Sequence, residues 1–172
     1  MPFSVQRNSF IGRLQRSTAS QRSVKWVFRK LKGHSMAIVV TRNRAGKMMH
    51  TVAVRQHSIV VDEPESNGGE DLGPTAHELY DSAVGTCKAM TALWYAKRKG
   101  IPVEGIEVTV ERDDSEERKG IYRLFVTLAL TGPLTEEQRQ ELLNVASKCP
   151  VHRLMTDATT HIRTALRQAA GD

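Results

Sequence analysis

One long helical pattern dominates the 172-residue sequence. Apolar side chains recur at spacings of three and four residues, at Leu79, Ala83, Cys87, Met90 and Trp94. Pro74 suits the first turn of this helix, and Gly100 ends it after a basic last turn. A helix of about 25 residues is roughly 37 Å long. We therefore expect it to be the central element, with the sheet wrapped around it.

Alternating apolar segments on both sides of this helix predict strands. They lie at 37–41, 50–55, 58–62, 103–112 and 121–131, with a weaker one at 159–166. Thr135 and Gln138 have the spacing of a capping box, so a second helix starts there and ends near Lys148. The Gly-rich segment 63–73 is predicted to be a loop. The predicted fold class is α+β.

Positive charge is concentrated at the start of the chain. Residues 1–35 hold eight cations and no acid, whereas 36–172 hold 17 cations and 19 acids, within a net charge of +6. The chain therefore divides into a basic N-terminal extension, 1–35, and one folded domain, 36–172. The extension is either sequence upstream of a natural start at Met36, a short helix packed on the domain, or an arm for targeting or nucleic-acid binding. Nucleic-acid binding is unfavoured, because the domain itself is slightly acidic.

Composition excludes several protein classes. Two cysteines and the lack of an apolar signal segment argue against a disulfide-stapled secreted protein, and no apolar run is long enough to span a membrane. We therefore expect a cytoplasmic protein. The glycines do not form a nucleotide-binding loop, and Cys149 with His152 is one weak pair of possible zinc ligands. We expect neither a bound cofactor nor a metal.

The two cysteines are the residues best suited to chemistry. By default Cys87 would be a small buried hydrophobe, and a nucleophilic role would require its thiolate. Because it lies about 18 Å from the helix start, the helix dipole cannot stabilise that thiolate, and a cation, preferably an arginine, would have to come from elsewhere in the fold. Cys149 precedes Pro150 at a predicted helix N-cap, which favours ionisation. Local physics therefore predicts that Cys149 is the more acidic thiol.

A glycine within the long helix also needs an explanation. Gly85 lies two residues before Cys87 and costs the helix about 1 kcal/mol relative to alanine. We expect a close approach of another backbone at this position.

The segment from VVDEPESNGG to GIPVEGIEV, together with KCPVHRLM, resembles the OsmC/Ohr family of osmotically inducible protein C and organic hydroperoxide resistance proteins. The resemblance rests on a Gly-Pro-x-x-x-Glu-Leu helix entry, small residues before Cys87, a Tyr-Ala-x-Arg-Lys-Gly helix exit and Cys-Pro-Val. It extends over most of 36–172. The Asp-x-Pro, Gly-Gly and Gly-Pro loop is most similar to the OsmC-like branch.

This resemblance implies an intertwined homodimer, with antiparallel sheets wrapped around long central helices and active sites at the interface. It implies a thiol peroxidase in oxidative-stress defence. In this scheme Cys87 is oxidised by an organic hydroperoxide to a sulfenic acid and Cys149 then forms a disulfide with it. An external dithiol reductant protein, for example a lipoyl-type one, restores both thiols. The activating arginine implied by position is Arg44, with Arg42 and Arg55 next.

One position departs from the family pattern. Ohr proteins have an arginine-holding glutamate ten residues before the first cysteine, where this chain has His77. Glu78 is nine residues before Cys87, so a regular helix places it about 180° away. Either the helix distorts near Gly85, the arginine is oriented otherwise, or peroxidase activity is weaker, and Glu78 would then only stabilise the first turn. The alternative function is a non-enzymatic OsmC-like protein that binds a small apolar ligand or senses oxidants at the dimer interface.

Overall fold

A computed structural model describes residues 37–166, so the predicted extension 1–35 lies outside the described residues. Three strands precede the long helix: β1 (Ile38–Arg42), β2 (His50–Val54) and β3 (His57–Val61). The helix, α1 (Ala76–Lys99), is followed by β4 (Gly105–Asp113), β5 (Arg123–Thr131), α2 (Glu136–Ala146) and α3 (Pro150–Thr156). The fold is α+β with antiparallel sheets, as predicted.

The first sheet is an antiparallel meander in the order β1-β2-β3. A two-residue turn joins β2 to β3, and Arg55 in this turn has a positive φ of 56°. Val40, Val52 and Ile59 are aligned across the three strands. Every residue of β1 is exposed, which indicates that this sheet does not bury its apolar side chains within the described chain.

The second sheet is a hairpin of β4 and β5, paired from Gly105 opposite Thr131 to Asp113 opposite Arg123. Helix α1 packs chiefly on β4, α2 and α3. Ala92 and Ala96 of α1 form the buried core with Leu142 and Ala146 of α2. The small alanines allow the two helices to approach closely, and the partly buried side chains of Tyr95, Ile101, Val103, Ile106, Leu128 and Leu130 surround them.

The ends of α1 follow from its sequence. Thr75 is the N-cap, and its side chain and that of Glu78 form a reciprocal capping box. Pro74 therefore lies just before the helix and not in its first turn, which corrects the sequence prediction. Gly100 adopts the left-handed conformation with φ of 68° and ends the helix, as predicted. The helix runs for 24 residues without interruption.

Within residues 37–166, the apolar stripe of α1 is not the face that the helix buries. Met90 and Trp94 are 66% and 61% exposed. The buried residues of this helix are Asp81, Val84, Gly85, Lys88, Ala92 and Ala96. At 100° per residue, this buried set lies on the opposite side of the helix. In the described chain, the apolar stripe of α1 is therefore exposed at Met90 and Trp94, and Gly85 on the opposite side contacts the hairpin.

Two smaller expectations are also corrected. The approach to Gly85 is made by side chains, since a Cβ there would lie 2.8 Å from Val110 Cγ2 of β4, and no backbone is involved in that contact. The segment 159–166 forms no strand within the described residues. Thr135 and Gln138 do form the predicted capping box at the start of α2.

Candidate functional site

The structure brings the two cysteines together. Cys87, in the middle of α1, and Cys149, in the link between α2 and α3, lie 3.6 Å apart although 62 residues separate them in sequence. Both are free thiols in this structure. A disulfide forms only between cysteines that the fold holds close together, and the 3.6 Å separation brings these two close together.

The short α3 positions Cys149. This residue is the N-cap of α3, where its sulfur accepts a hydrogen bond of 3.3 Å from the backbone N–H of His152. Pro150 occupies the first turn, where its missing N–H has no cost. Cys149 is fully buried, whereas Cys87 is partly exposed. The pair therefore has one thiol open to small molecules and one sheltered behind it.

The prediction that the helix N terminus makes Cys149 acidic is wrong. Burial raises the pKa of the Cys149 thiol, and the neighbouring Cys87 raises it further. The hydrogen bond from His152 and the charge of Lys88 lower the pKa but do not outweigh burial. The N-cap position of Cys149 was predicted correctly, but the low-dielectric surroundings of its thiol determine its pKa.

Sequence reasoning missed a buried lysine beside the pair. Lys88 is 7% exposed, and its Nζ donates to the carbonyl oxygen of Ala146 at 3.3 Å and lies 3.4 Å from His152 Nδ1. His152 is partly buried against this lysine. The sequence did carry a signal for this lysine. Val84, Lys88 and Ala92 are spaced four residues apart, so they share one face of α1, and that face is the buried one.

The arginines proposed from the sequence lie elsewhere in the described chain. Arg44 is exposed in the turn after β1, Arg42 ends β1, and Arg55 is in the turn between β2 and β3. Within residues 37–166, none of the three forms a hydrogen bond or ion pair with Cys87 or Cys149. The elements that carry them contact chiefly one another.

Glu78 and His77 are engaged away from the cysteines. Glu78 Oε2 accepts the backbone N–H of Thr75 at 2.7 Å, and this capping box lowers the pKa of Glu78. His77 Nε2 lies 3.1 Å from Glu117 Oε1 in an exposed pair. Because α1 is uninterrupted, Glu78 lies half a turn around the helix from Cys87, as the spacing predicted.

A second charged cluster, also missed by sequence reasoning, lies nearer the start of α1. Tyr122 donates a 2.8 Å hydrogen bond to the buried Asp81, and Arg112 Nη1 lies 3.6 Å from the other oxygen of this carboxylate. Hydrogen bonding with Tyr122 raises the pKa of Arg112. Asp81, Arg112 and Glu78 border a cavity of about 710 Å³ between α1 and β4.

A second cavity, of about 520 Å³, lies beside the buried lysine. Its walls come from α1, β5 and α3, and its polar side chains are Lys88, His152, Tyr80, Tyr122 and Thr156. Val84, Leu124, Val126 and Met155 make the rest of the wall mostly apolar. In the part of the chain described, no three His, Cys, Asp or Glu side chains are grouped so as to hold a metal ion. No helix described is long and apolar enough to cross a membrane.

Comparison with solved structures finds the same fold in other proteins. An OsmC-like protein from Mycoplasma pneumoniae is 19% identical, with a TM-score of 0.59 over 73% of this chain and 89% of that one. An organic hydroperoxide resistance protein OsmC from Legionella pneumophila is 17% identical, with a TM-score of 0.53 over 73% and 91%. One from Elizabethkingia anophelis is 18% identical, with a TM-score of 0.53 over 74% and 91%. No curated protein matches this sequence.

The family assignment agrees with the motifs that first suggested it. Residues 68–164 match the family described as OsmC-like protein, and this range is more than half of the chain. It includes all of α1, the hairpin, and both cysteines. The chain therefore belongs to the OsmC-like protein family.

Proposed function

We propose that this protein is a thiol-dependent peroxidase that reduces organic hydroperoxides in oxidative-stress defence. The observation that carries the proposal is the 3.6 Å approach of Cys87 and Cys149 across 62 residues of sequence. Two cysteines that only filled space in the core would not need to lie close together, with one thiol exposed and the other buried. The names of the Legionella and Elizabethkingia proteins, both hydroperoxide resistance proteins, support the same substrate class.

Exposure assigns the two roles. Cys87 is the partly exposed thiol, so its thiolate attacks the outer peroxide oxygen, the O–O bond breaks, and the departing alkoxide takes up a proton to become an alcohol. Cys149 is buried next to it and attacks the resulting sulfenic acid, which forms the disulfide and releases water. An external dithiol then reduces the disulfide to two thiols. We expect a lipoyl-type dithiol to serve as well as dithiothreitol.

A homodimer completes this site. The exposed valines of β1 and the exposed Met90 and Trp94 of α1 are apolar surfaces that a second copy would cover. A sheet that contacts chiefly itself within one chain is suited to lie on the partner's helices. In that arrangement Arg44, with Arg42 and Arg55 as the other options, would supply the guanidinium that stabilises the Cys87 thiolate.

The experiment compares single-cysteine variants under hydroperoxide. Wild-type protein should consume cumene hydroperoxide with dithiothreitol or dihydrolipoamide, and mass spectrometry should find a Cys87–Cys149 disulfide. Cys87→Ser should abolish consumption. Cys149→Ser should retain one turnover and leave a sulfenic acid that dimedone traps. Absence of consumption with either dithiol would reject the proposal.

One observation favours the alternative, a non-enzymatic protein that binds an apolar ligand or senses oxidants. Glu78 is held in the capping box and cannot orient an arginine beside Cys87 in the same chain. The mostly apolar cavity beside Lys88 would then be the ligand site. Slow, unselective oxidation of methionines after mild peroxide treatment, without the disulfide, would support this function over the enzyme.

A further inference from the structure

Lys88 is a buried cation without a matching anion. Its side chain is 7% exposed, and within residues 37–166 no carboxylate lies within ion-pairing distance of it. Burying an unpaired charge is costly, so lysines are rarely buried without a partner. The carbonyl of Ala146, at the last turn of α2, compensates in part, because the C-terminal end of a helix dipole favours cations.

Among residues 37–166, no carboxylate lines the cavity that Lys88 borders. Tyr80 of α1, Tyr122 just before β5 and His152 of α3 are the other titratable residues that line this cavity. Tyr122 donates its hydroxyl to Asp81 and so is already engaged. The charge of Lys88 acts on Cys149, whose pKa it lowers against the effect of burial.

We propose that Lys88 is a positioning residue for the cysteine pair. Its ammonium group, held between the carbonyl of Ala146 and the ring of His152, stabilises the thiolate of Cys149. His152 links the two, because its backbone N–H donates to the Cys149 sulfur while its ring faces Lys88. A chain segment of α1 thus supplies a cation to the sheltered thiol without help from an arginine.

This thiolate is needed at two moments. When the disulfide forms from a sulfenic acid, Cys149 loses its proton, its sulfur attacks the Cys87 sulfur, and the S–O bond breaks to release water. When a dithiol reduces the disulfide, its thiolate attacks the more exposed Cys87 sulfur, and Cys149 leaves as a thiolate. A lower leaving-group pKa makes this second step faster. The first moment depends on the proposed peroxidase function, whereas the second does not.

The test measures thiol–disulfide exchange of the pair with dithiothreitol as a function of pH, without peroxide. We compare wild type with Lys88→Met, Lys88→Arg and the control Lys97→Met, which removes an exposed cation from the last turn of the same helix. Lys88→Met should raise the pH midpoint of disulfide formation by oxidised dithiothreitol by about one unit, which is about tenfold in the thiolate fraction of Cys149 at pH 7. The disulfide should become harder to reduce by about 30 mV at a pH above the midpoint. Lys88→Arg should restore most of the wild-type profile, and Lys97→Met should match wild type.

A purely structural role gives a different result. If Lys88 only caps α2, Lys88→Met lowers thermal stability but leaves the pH midpoint and the potential unchanged, and the proposal is overturned. His152→Ala removes one of the two groups that hold the ammonium and should shift the midpoint in the same direction by a smaller amount. If Lys88→Met does not fold, Lys88→Gln takes its place in the comparison.

The two proposals fail separately. A wild-type protein that consumes no hydroperoxide, yet shows the Lys88-dependent profile in dithiothreitol, rejects the peroxidase and retains the role of Lys88. If the wild-type protein consumes hydroperoxide but Lys88→Met leaves the pH profile unchanged, the peroxidase proposal is retained and the role of Lys88 is rejected. A wild-type protein that forms no Cys87–Cys149 disulfide in oxidised dithiothreitol overturns the inference about Lys88.

Discussion

The hairpin-and-helix region, 76–156, and the three-stranded sheet, 38–61, differ in how far they bury their apolar side chains. In the first, Leu142 is fully buried and packs with alanines of α1. In the second, Ile38, Val39 and Val40 are successive residues of one strand and are all more than half exposed. Successive strand residues point to opposite faces, so no part of the described range 37–166 covers either face of β1.

This difference teaches that, among residues 37–166, one region buries its own apolar side chains and the other does not. The buried core of α1 and α2 explains why the cysteine pair can be preorganised there, since helices packed by small residues hold their side chains in place. The residues of the sheet favour strands, but no other part of the described chain covers their apolar side chains. We expect a second copy of the chain to cover them.

The largest effect is expected in the hairpin-and-helix region. Leu142→Ala should lower the free energy of unfolding by about 2–5 kcal/mol, because it opens a cavity in a closed core. Leu143→Ala, at a neighbouring position that is 40% exposed, is the matched control and should cost much less. Urea denaturation at one fixed protein concentration measures both. Equal losses would mean that the core is not where α1 meets α2.

The next prediction probes the three-stranded sheet. Val40→Lys should weaken self-association at least tenfold, about 1.4 kcal/mol, because it places a charge on an apolar surface that we expect a second copy to cover. Gln56→Lys, in the exposed turn between β2 and β3, is the control for added charge. Sedimentation velocity over a range of concentrations gives the dissociation constants. An unchanged constant in Val40→Lys would show that β1 is not part of the interface.

A smaller effect is expected where α1 meets β4. Gly85→Ala would place a Cβ 2.8 Å from Val110 Cγ2, and overpacking of this kind costs about 1–3 kcal/mol. Alanine has the better helix propensity, which offsets about 1 kcal/mol, so the net loss in the free energy of unfolding should be up to about 2 kcal/mol. Adding Val110→Ala should recover part of the loss in thermal unfolding. A stabilised Gly85→Ala protein would show that the hairpin yields to the added methyl group.

Helix capping should contribute still less. Thr75→Ala removes the hydrogen bond to the Glu78 N–H at the start of α1 and should cost about 1 kcal/mol. Thr135→Ala removes the equivalent bond at the start of α2, and Thr75→Ser should retain stability. Circular dichroism during chemical unfolding compares the three. A much larger loss in Thr75→Ala would indicate that this cap also fixes the loop before it.

The last prediction concerns the loop that joins the two regions. Burial raises the pKa of Asp62, but hydrogen bonds from the backbone N–H groups of Glu63, Leu72 and Glu70 outweigh it, and the pKa is lowered. A lowered folded-state pKa stabilises the loop above the unfolded value of 3.8, and the contribution is lost as pH falls below it. The hydrogen-exchange protection factors of residues 63–73, which correct for the intrinsic pH dependence of amide exchange, should therefore fall in wild type as pH drops from 3.8 through the lower folded-state pKa. Asp62→Asn should show less of this pH dependence.

Local chemistry made much of the fold predictable. The strand segments, the capping boxes at Thr75 and Thr135, the end of α1 at Gly100 and the N-cap position of Cys149 all depend on residues close in sequence. The family resemblance also came from short motifs, and the family match agrees with it. Pro74 was misplaced by two residues because Thr75 is the better cap.

The face of α1 that is buried could not be read from periodicity. Helical spacing shows that Met90 and Trp94 share a side, but not what covers that side. In the described chain the hairpin approaches the opposite side, where Gly85 and Ala92 allow close packing. Lys88 is buried as a consequence, because it belongs to that same stripe.

The sequence by itself determined most of the helices and strands, the caps at Thr75, Thr135 and Gly100, and the family to which this chain belongs, because capping, turn chemistry and motifs act over a few residues. Tertiary structure decided that Cys87 lies 3.6 Å from Cys149, that burial raises the pKa of Cys149, and that Lys88 stands beside the pair. Those properties depend on desolvation and on contacts between residues about sixty positions apart, which no local pattern encodes.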